Sequence, residues 1–155
     1  MKESEFKEFY NKYIDMVYRI TYTYFKGNKS NMEDVCQDVF IKVLDKKIVF
    51  DSEEHAKAWL ITCTTNMCKN KLKHWWNRNV NIDNIEEISS SDKEDSLLPL
   101  VLNLPCNQRI AIYLHYYEGY EAKEISKIMH KNENTIFGYL HQGREMLKEK
   151  IGGEL

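Results

Sequence analysis

The chain contains 155 residues, a length that fits one ordinary domain or two very small ones. An apolar fraction of 43% is sufficient for a packed core and argues against wholesale disorder. No stretch approaches about 18 uncharged apolar residues, and the charged N-terminal segment MKESEFKEF lacks the apolar core of a signal peptide. We therefore expect a cytoplasmic protein with no membrane insertion.

The net charge of −2 conceals a strong segregation of charge along the chain. Residues 55–82 carry five basic groups and no acid, whereas residues 83–122 carry two basic and eight acidic groups. Phosphate contacts act within a Debye length of about 8–10 Å, so a local cationic segment can bind nucleic acid in a chain without net positive charge. The alternative is an ordinary solvated helix face.

Two amphipathic helices are predicted in the first third of the chain. Apolar side chains recur at helical spacing over residues 5–25, and Gly27 follows as a C-terminal stop. Ser30 and Glu33 have the spacing of a capping box, which predicts a second helix over residues 30–44. Its expected buried face consists of Val35, Val39 and Val43.

A third helix is predicted to begin at an Asp51/Ser52 cap, because the acids that follow suit a helix N-terminus. Its expected core stripe consists of Ala56, Leu60, Cys63 and Met67. The composition changes near residue 80. Residues 80–96 are polar, acidic and rich in serine, which is typical of a flexible linker.

The remaining helical patterns end in a helix-turn-helix. They cover residues 97–102, 106–117, 121–129 and 133–150. His130 and Asn132 suit the turn because both enter left-handed backbone more readily than most residues, and Asn132 is the expected N-cap of the last helix. That helix should bury Ile136, Leu140, Gly143 and Leu147, with Gly143 allowing close approach of another helix. A helical hairpin that merely packs is the alternative.

Cysteine spacing argues against a metal site. Cys36, Cys63, Cys68 and Cys106 form no CxxC pair, and no histidine lies at zinc-finger spacing. We expect reduced, mostly buried thiols that act as small hydrophobic side chains. No metal or other cofactor is predicted.

Three segments, taken in order, resemble the extracytoplasmic-function (ECF) subfamily of sigma-70 family RNA polymerase sigma factors. They are NMEDVCQDVFIKVL, AKAWLITCTTNMCKNKLK and LPCNQRIAIYLHYYEGYEAKEISKIMHKNENTI. The resemblance implies an all-α protein of two small helical domains. Sigma domain 2, which binds core polymerase and recognises and melts the −10 element, would span 1–79. An acidic flexible linker would span 80–96, and sigma domain 4, whose helix-turn-helix recognises the −35 element, would span 97–155.

The resemblance implies a helix that docks on the β′ clamp of core RNA polymerase. It assigns this contact to Glu33, Asp34, Gln37, Asp38 and Phe40. Acceptors in the first turns of a helix suit a basic partner, and Phe40 would be an apolar anchor. The alternative is that Glu33 and Asp34 only cap the helix.

The resemblance also implies contacts with the opened −10 strand. It assigns them to Phe50, Asn66, Lys69, Asn70, Lys73 and Arg78. The Asn66 amide can donate to and accept from the edge of an unpaired base. Stacking on an aromatic ring such as Phe50 is worth about 1–3 kcal/mol per base.

Contacts with the −35 duplex are implied for the helix-turn-helix, at Lys123, Lys127, Lys131, Asn132, Asn134, Thr135, Tyr139, His141 and Arg144. This chain departs from the family pattern, because Phe137, Tyr139 and Gln142 replace three cations. Loss of phosphate contacts predicts a weaker hold on the duplex. An exposed Phe137/Tyr139 pair that faces a protein is the alternative.

The leading hypothesis is a promoter-specificity subunit without enzymatic activity. Its expected partners are core RNA polymerase and promoter DNA, with an anti-sigma factor as a further candidate. One alternative is a drifted sigma-like adaptor that binds polymerase or a partner protein without reading a −35 element. Another is an ordinary helix-turn-helix regulator, which the polymerase-docking pattern at residues 33–40 disfavours.

Overall fold

A computed structural model describes residues 1–76 and 98–152. These residues form seven α-helices and no strand, and the chain divides into two compact units, Met1–Ile85 and Glu86–Leu155. The predicted all-α fold with two small helical domains is therefore confirmed. The predicted linker, residues 80–96, lies outside the described residues, so the domain boundaries remain predictions.

The first unit is a three-helix bundle. It consists of α1 (Glu3–Phe25), α2 (Lys29–Asp45) and α3 (Glu53–Trp76), and each helix packs against the other two. The predicted Val35, Val39 and Val43 face of α2 is buried, which confirms that pattern. Packing of such amphipathic faces supplies most of the stability of helices in folded proteins.

Helix α2 begins before the predicted position, whereas α1 ends where it was predicted to end. Lys26 and Gly27 have φ values of 51° and 89°, so α1 does end at the expected place. The N-cap of α2 is Asn28, whose side chain accepts a 3.3 Å hydrogen bond from the Asn31 N–H. The predicted capping box at Ser30 is wrong, because the helix begins at Lys29 and Ser30 already lies in its first turn.

The predicted cap of α3 is confirmed at Ser52, whose Oγ accepts a 3.0 Å hydrogen bond from the His55 N–H. Ala56, Leu60 and Cys63 are buried as expected. Met67 is only half-buried, and its neighbour Cys68 is fully buried instead. A single core stripe did not predict the burial of Cys68, because α3 packs against both α1 and α2 and so buries more than one face.

The second unit contains α4 (Leu98–Leu102), α5 (Cys106–Tyr116), α6 (Ala122–Met129) and α7 (Glu133–Lys150). Helices α6 and α7 form the predicted helix-turn-helix, and α5 packs against both. His130 adopts left-handed backbone with a φ of 57°, whereas Asn132 is extended with a φ of −75°. Asn132 is nevertheless the predicted N-cap of α7, because its side chain accepts from the Thr135 N–H.

Buried hydrogen bonds from side chains of α5 connect this helix to α4 and to the α5–α6 turn. The Arg109 guanidinium donates to the carbonyl oxygens of Leu102 and Leu104 at 3.3 and 3.2 Å, so it satisfies acceptors at the end of α4. The Tyr113 hydroxyl donates to the Glu118 carboxylate at 2.8 Å, which ties α5 to the α5–α6 turn. Both contacts are buried and thus weakly screened by solvent.

The thiols behave largely as predicted. Cys36, Cys63 and Cys68 are buried, while Cys106 at the start of α5 is exposed. Burial raises the pKa of the Cys36 and Cys63 thiols above the usual range, so both are neutral at physiological pH. Within residues 1–76 and 98–152, no group of His, Cys, Asp and Glu is placed to hold a metal ion. None of the helices in these ranges is long and apolar enough to cross a membrane.

The two glycines of α7 should respond oppositely to alanine. At Gly143 a Cβ would lie 2.7 Å from Ile112 Cγ1, which confirms the predicted close approach of another helix, whereas at Gly138 nothing lies within 4 Å. Overpacking costs about 1–3 kcal/mol, and alanine recovers roughly 1 kcal/mol of helix propensity over glycine. We expect Gly143→Ala to lower the free energy of unfolding of this unit by up to about 2 kcal/mol, the difference between these two effects.

The matched variant Gly138→Ala should raise that free energy by about 0.5–1 kcal/mol, because only the propensity gain applies. Urea denaturation followed by circular dichroism measures both values. An equal stabilisation by the two substitutions would contradict the tight α5–α7 contact. Ile112→Ala alone should cost about 2–5 kcal/mol, because this side chain is buried. A loss in the double variant that is smaller than the sum of the two single losses would locate the overlap at Ile112.

Candidate functional site

One side of α2 is strongly polar and exposed. Glu33, Asp34, Gln37 and Asp38 are all exposed, and their spacing places them on neighbouring turns of the helix. Asp34 also lies 3.4 Å from Lys71 Nζ on α3, so it has an intramolecular partner. Three of these four side chains carry negative charge, which makes the surface complementary to a basic partner.

Phe40 does not lie on that exposed side. Its side chain is 3% exposed, and its ring contacts Tyr10, Phe9 and Phe6 of α1 with centroid distances of 4.8, 6.1 and 6.4 Å. The assignment of Phe40 as an apolar anchor for polymerase stays a prediction, and in the folded chain the ring packs against α1. Phe40 occupies the interior because α1 extends far enough towards the N-terminus to cover it.

A groove runs between α1 and α2 beside the acidic face. Its volume is about 580 Å³, and it is lined by Phe6, Tyr10, Ile14 and Tyr18 of α1 and by Glu33, Cys36, Gln37, Phe40, Ile41 and Leu44 of α2. Ile41 and Leu44 are 45% and 44% exposed and lie next to each other on α2, so they form an exposed apolar patch. Neither residue was predicted from the sequence, although both follow Gln37 at i+4 and i+7 and so continue the same side of α2.

A cationic face of α3 brings together four of the predicted −10 residues. Asn66, Lys69, Asn70 and Lys73 follow i, i+3, i+4 and i+7 spacing, so they share one side of the helix. Asn66 and Lys69 are half-buried, and Asn70 and Lys73 are exposed. The fifth residue assigned to this segment, Arg78, lies outside the described residues.

Phe50 belongs to an aromatic cluster rather than standing free. Its ring stacks on Phe9 at 5.5 Å with an interplanar angle of 5°, and it meets Trp59 and His55 edge-on at 5.6 and 5.4 Å. Phe9 thus covers one face of the Phe50 ring, and a nucleic-acid base can stack only on the other. The same contacts hold Trp59, half-buried, against the cluster.

The helix-turn-helix presents most of its cations to solvent. Lys123, Lys127 and Lys131 are exposed on α6 and the turn. Arg144 is half-buried, and its guanidinium donates a 3.3 Å hydrogen bond to the Tyr116 hydroxyl of α5. Arg144 is therefore oriented by α5, which the sequence did not indicate.

Two of the predicted base-contacting residues have local partners. Asn132 Oδ1 accepts hydrogen bonds from both the backbone N–H and the hydroxyl of Thr135, each at 2.8 Å. The Asn132 amide group retains its N–H donors, and the Thr135 hydroxyl oxygen can still accept, but the Asn132 oxygen and the Thr135 hydroxyl hydrogen are used in the cap. Asn134 and His141 are exposed.

The replaced positions of α7 do not form a single surface. Phe137 is 53% exposed, whereas Tyr139 is half-buried. Residues two apart on a helix point in nearly opposite directions. Gln142 accepts a 2.7 Å hydrogen bond from Gln108 of α5. A joint Phe137/Tyr139 protein-docking pair is therefore not present in the fold.

Two family descriptions match the chain in the order of its two units. The sigma-70 region 2 family matches residues 9–79, and the sigma-70, region 4 family matches residues 95–147. These ranges contain the α2 and α3 surfaces and the helix-turn-helix, respectively.

Individual relatives and one solved structure agree with these matches. The ECF RNA polymerase sigma factor SigW of Bacillus subtilis (strain 168) is 23% identical over 169 residues, covering 96% of this chain and 90% of SigW. The ECF RNA polymerase sigma-E factor of Haemophilus influenzae is 26% identical over 144 residues, covering 80% of this chain and 76% of that protein. The sigma factor RpoE of Bartonella quintana, solved in complex with the anti-sigma factor NepR, has a TM-score of 0.74 at 21% identity, with 97% of this chain and 99% of that chain covered. The structural likeness shows a shared fold.

Proposed function

Because the chain belongs to the ECF subfamily of sigma-70 family RNA polymerase sigma factors, we propose that its two units divide the work of promoter recognition. The first unit binds core polymerase and the −10 element, and the second contacts the −35 element. The observation that carries this proposal is the order of the matched regions, with region 2 on the three-helix bundle and region 4 on the helix-turn-helix. The domain limits that we propose are 1–79 and 97–155.

The polymerase contact that we propose is the outer side of α2 together with the groove between α1 and α2. Glu33, Gln37 and Asp38 supply exposed acceptors and charge, and Ile41 and Leu44 supply exposed apolar surface beside them. An apolar centre with a charged rim is typical of a specific protein interface. A basic helical segment of the β′ clamp fits that combination.

The −10 contact that we propose is the α3 face that carries Asn66, Lys69, Asn70 and Lys73. Lysines position a strand through its phosphates, while an asparagine amide can distinguish base edges. Phe50 contributes one ring face at most, because Phe9 covers the other. Arg78 extends the cationic sequence of this segment.

The −35 contact that we propose depends on tethering. Lys123, Lys127 and Lys131 are available to phosphates, but α7 lacks three cations that are common in the family. Once the first unit is bound, the second meets its site at an effective concentration that can approach about 1 mM. A weak DNA reader is then sufficient to influence promoter choice.

We also propose that the chain has no catalytic activity of its own and acts in the cytoplasm, where polymerase resides. The complex of RpoE with NepR makes an anti-sigma factor a candidate regulator of this chain. The second candidate function is a sigma-like adaptor that binds polymerase without reading a −35 element. It is favoured by the missing cations of α7 alone.

Transcription in vitro tests the proposed function. Purified chain and bacterial core polymerase are incubated with a promoter library randomised at the −35 and −10 elements, and the transcribed sequences are recovered. A sigma factor should enrich defined sequences at both elements. Enrichment at −10 alone would favour the adaptor function, and failure to initiate from any sequence would refute the proposal.

Substitution of Asn66 and substitution of Lys73 should remove two different kinds of contact with DNA. Asn66→Ala should reduce discrimination at one −10 position by about 1–3 kcal/mol, because a base contact specifies. Lys73→Ala should weaken binding to all promoters equally, because it removes a contact with one single-strand phosphate. For the same reason it should lower the slope of log affinity against log salt concentration by about 0.7. Open-complex affinity on promoters with single −10 changes, at three salt concentrations, measures both. An unchanged −10 preference in Asn66→Ala would refute its assignment.

A further inference from the structure

The outermost side of α7 carries four residues whose chemistry differs from that of the surfaces around it. Asn134, Phe137, Gly138 and His141 have i, i+3, i+4 and i+7 spacing and therefore share one face of the helix. Asn134 and His141 are exposed, and Phe137 is 53% exposed. The buried seam of Ile136, Leu140 and Gly143 lies on the opposite side. We call these four residues the reading face.

The reading face contains neither lysine nor arginine. Guanine is most often recognised by a bidentate arginine or lysine at its O6 and N7 atoms. The arginine on this helix, Arg144, donates to the Tyr116 hydroxyl of α5 at 3.3 Å. The face therefore lacks the usual means of selecting guanine.

The residues that are present suit adenine and thymine. An asparagine amide can bond to adenine N6 and N7, and an apolar side chain such as phenylalanine can contact the C5-methyl group of thymine. Gly138 has nothing within 4 Å of the position of a Cβ, so the surface beside Phe137 is open to base edges.

The surroundings favour duplex DNA over a protein as the occupant. Lys123, Lys127 and Lys131 are exposed on α6 and the turn that precedes α7, where they can contact phosphates. A stable protein interface needs roughly 800 Å² from each partner, whereas the apolar part of this face is the single Phe137 ring. Tyr139 does not extend it, because it is half-buried on another side of the helix.

We propose that α7 recognises A·T base pairs in the −35 element, with Phe137 packed against a thymine methyl group and Asn134 bonded to an adenine. This proposal rests on the proposed function and specifies the sequence class that its second unit selects. Phe137 stands at a position where related sigma factors commonly carry a cation, and Asn134 adds an amide on the same face of the helix. Phosphate contacts come from α6 and the turn.

The test begins with holoenzyme formed from the full chain and bacterial core polymerase. A promoter duplex randomised at the −35 element is selected for binding, and the winning sequence is then made with each thymine replaced in turn by deoxyuridine. That replacement removes only the methyl group. At one position it should lower affinity about fourfold for the wild-type chain, the loss expected for one buried methyl-sized group.

Two variants make the result specific. Phe137→Ala holoenzyme should bind the thymine duplex about fourfold more weakly than wild type and should not distinguish thymine from deoxyuridine at that position. The matched control Lys127→Ala should lose affinity for both duplexes equally and keep the fourfold ratio, because a phosphate contact carries no base information.

The outcomes separate this proposal from the one on which it rests. Selection of no −35 sequence would refute both. Selection of a −35 sequence that contains no thymine, or a sequence whose deoxyuridine forms bind like the parent, would overturn the Phe137 contact and leave the sigma function standing. Equal thymine discrimination by wild type and Phe137→Ala would overturn it as well.

Discussion

Replacing Glu33 and Asp38 with arginine should reduce the affinity of the chain for core polymerase about 100-fold, equivalent to about 2.7 kcal/mol. Both side chains are exposed on the outer side of α2, so the reversal leaves the packed core intact. Like charges brought together across an interface cost several kcal/mol, and a basic clamp helix would meet two new cations. Binding of labelled chain to core polymerase, measured at two salt concentrations, gives the change.

The matched control is Glu8→Arg with Asp15→Arg on α1. It makes the same change in net charge at exposed acids that lie away from the groove-lining side of α1. We expect this control to bind core polymerase with less than a threefold loss, which reports long-range electrostatics alone. Equal losses in the two double variants, or wild-type affinity in Glu33→Arg/Asp38→Arg, would contradict docking through α2.

Truncation of Phe40 should produce the largest change in stability. The ring is 3% exposed and packs against three aromatic side chains of α1. Replacing a core phenylalanine with alanine costs about 3–5 kcal/mol. Small domains have only about 5–15 kcal/mol in total, so Phe40→Ala should leave the first unit near its unfolding transition at 25 °C.

Hydrogen exchange resolved by residue measures this effect unit by unit. Amides of α1–α3 should lose protection in Phe40→Ala, while amides of α5–α7 should keep it. The control Phe40→Leu should cost less than half as much, because most of the apolar volume is kept. A loss below about 1 kcal/mol in Phe40→Ala would mean that the ring contributes little to the core. Polymerase binding by Phe40→Ala is therefore interpreted together with its hydrogen exchange, because the ring both packs in the core and lines the proposed contact groove.

The limits of α5 and of the two helices of the helix-turn-helix were predictable to within one residue. The expected ranges 106–117, 121–129 and 133–150 compare with Cys106–Tyr116, Ala122–Met129 and Glu133–Lys150. Local signals decide these limits, since Asn132 caps α7 through a bond three residues away. The close approach at Gly143 was also predictable, because a glycine on the buried face of a helix leaves room for a neighbouring helix.

Two features of the structure were not predicted from the sequence, one where two local signals competed and one where a distant segment intervened. Ser30 and Asn28 both have capping side chains, and the structure uses Asn28. Phe40 lies among acidic residues along the chain, yet the N-terminal turns of α1 cover it. Neither outcome follows from spacing within one helix.

The amino-acid sequence by itself determined the family, the helical periods and the positions of most candidate contacts, because caps, turns and apolar spacing act over a few residues. Only the tertiary structure decided which of those side chains remain accessible. Burial of Phe40, stacking of Phe9 on Phe50 and orientation of Arg144 by Tyr116 each join residues from different segments of the chain. Accessibility is a property of packed pairs of helices, and a periodicity read along one helix specifies the face that is buried but not the residues that cover it.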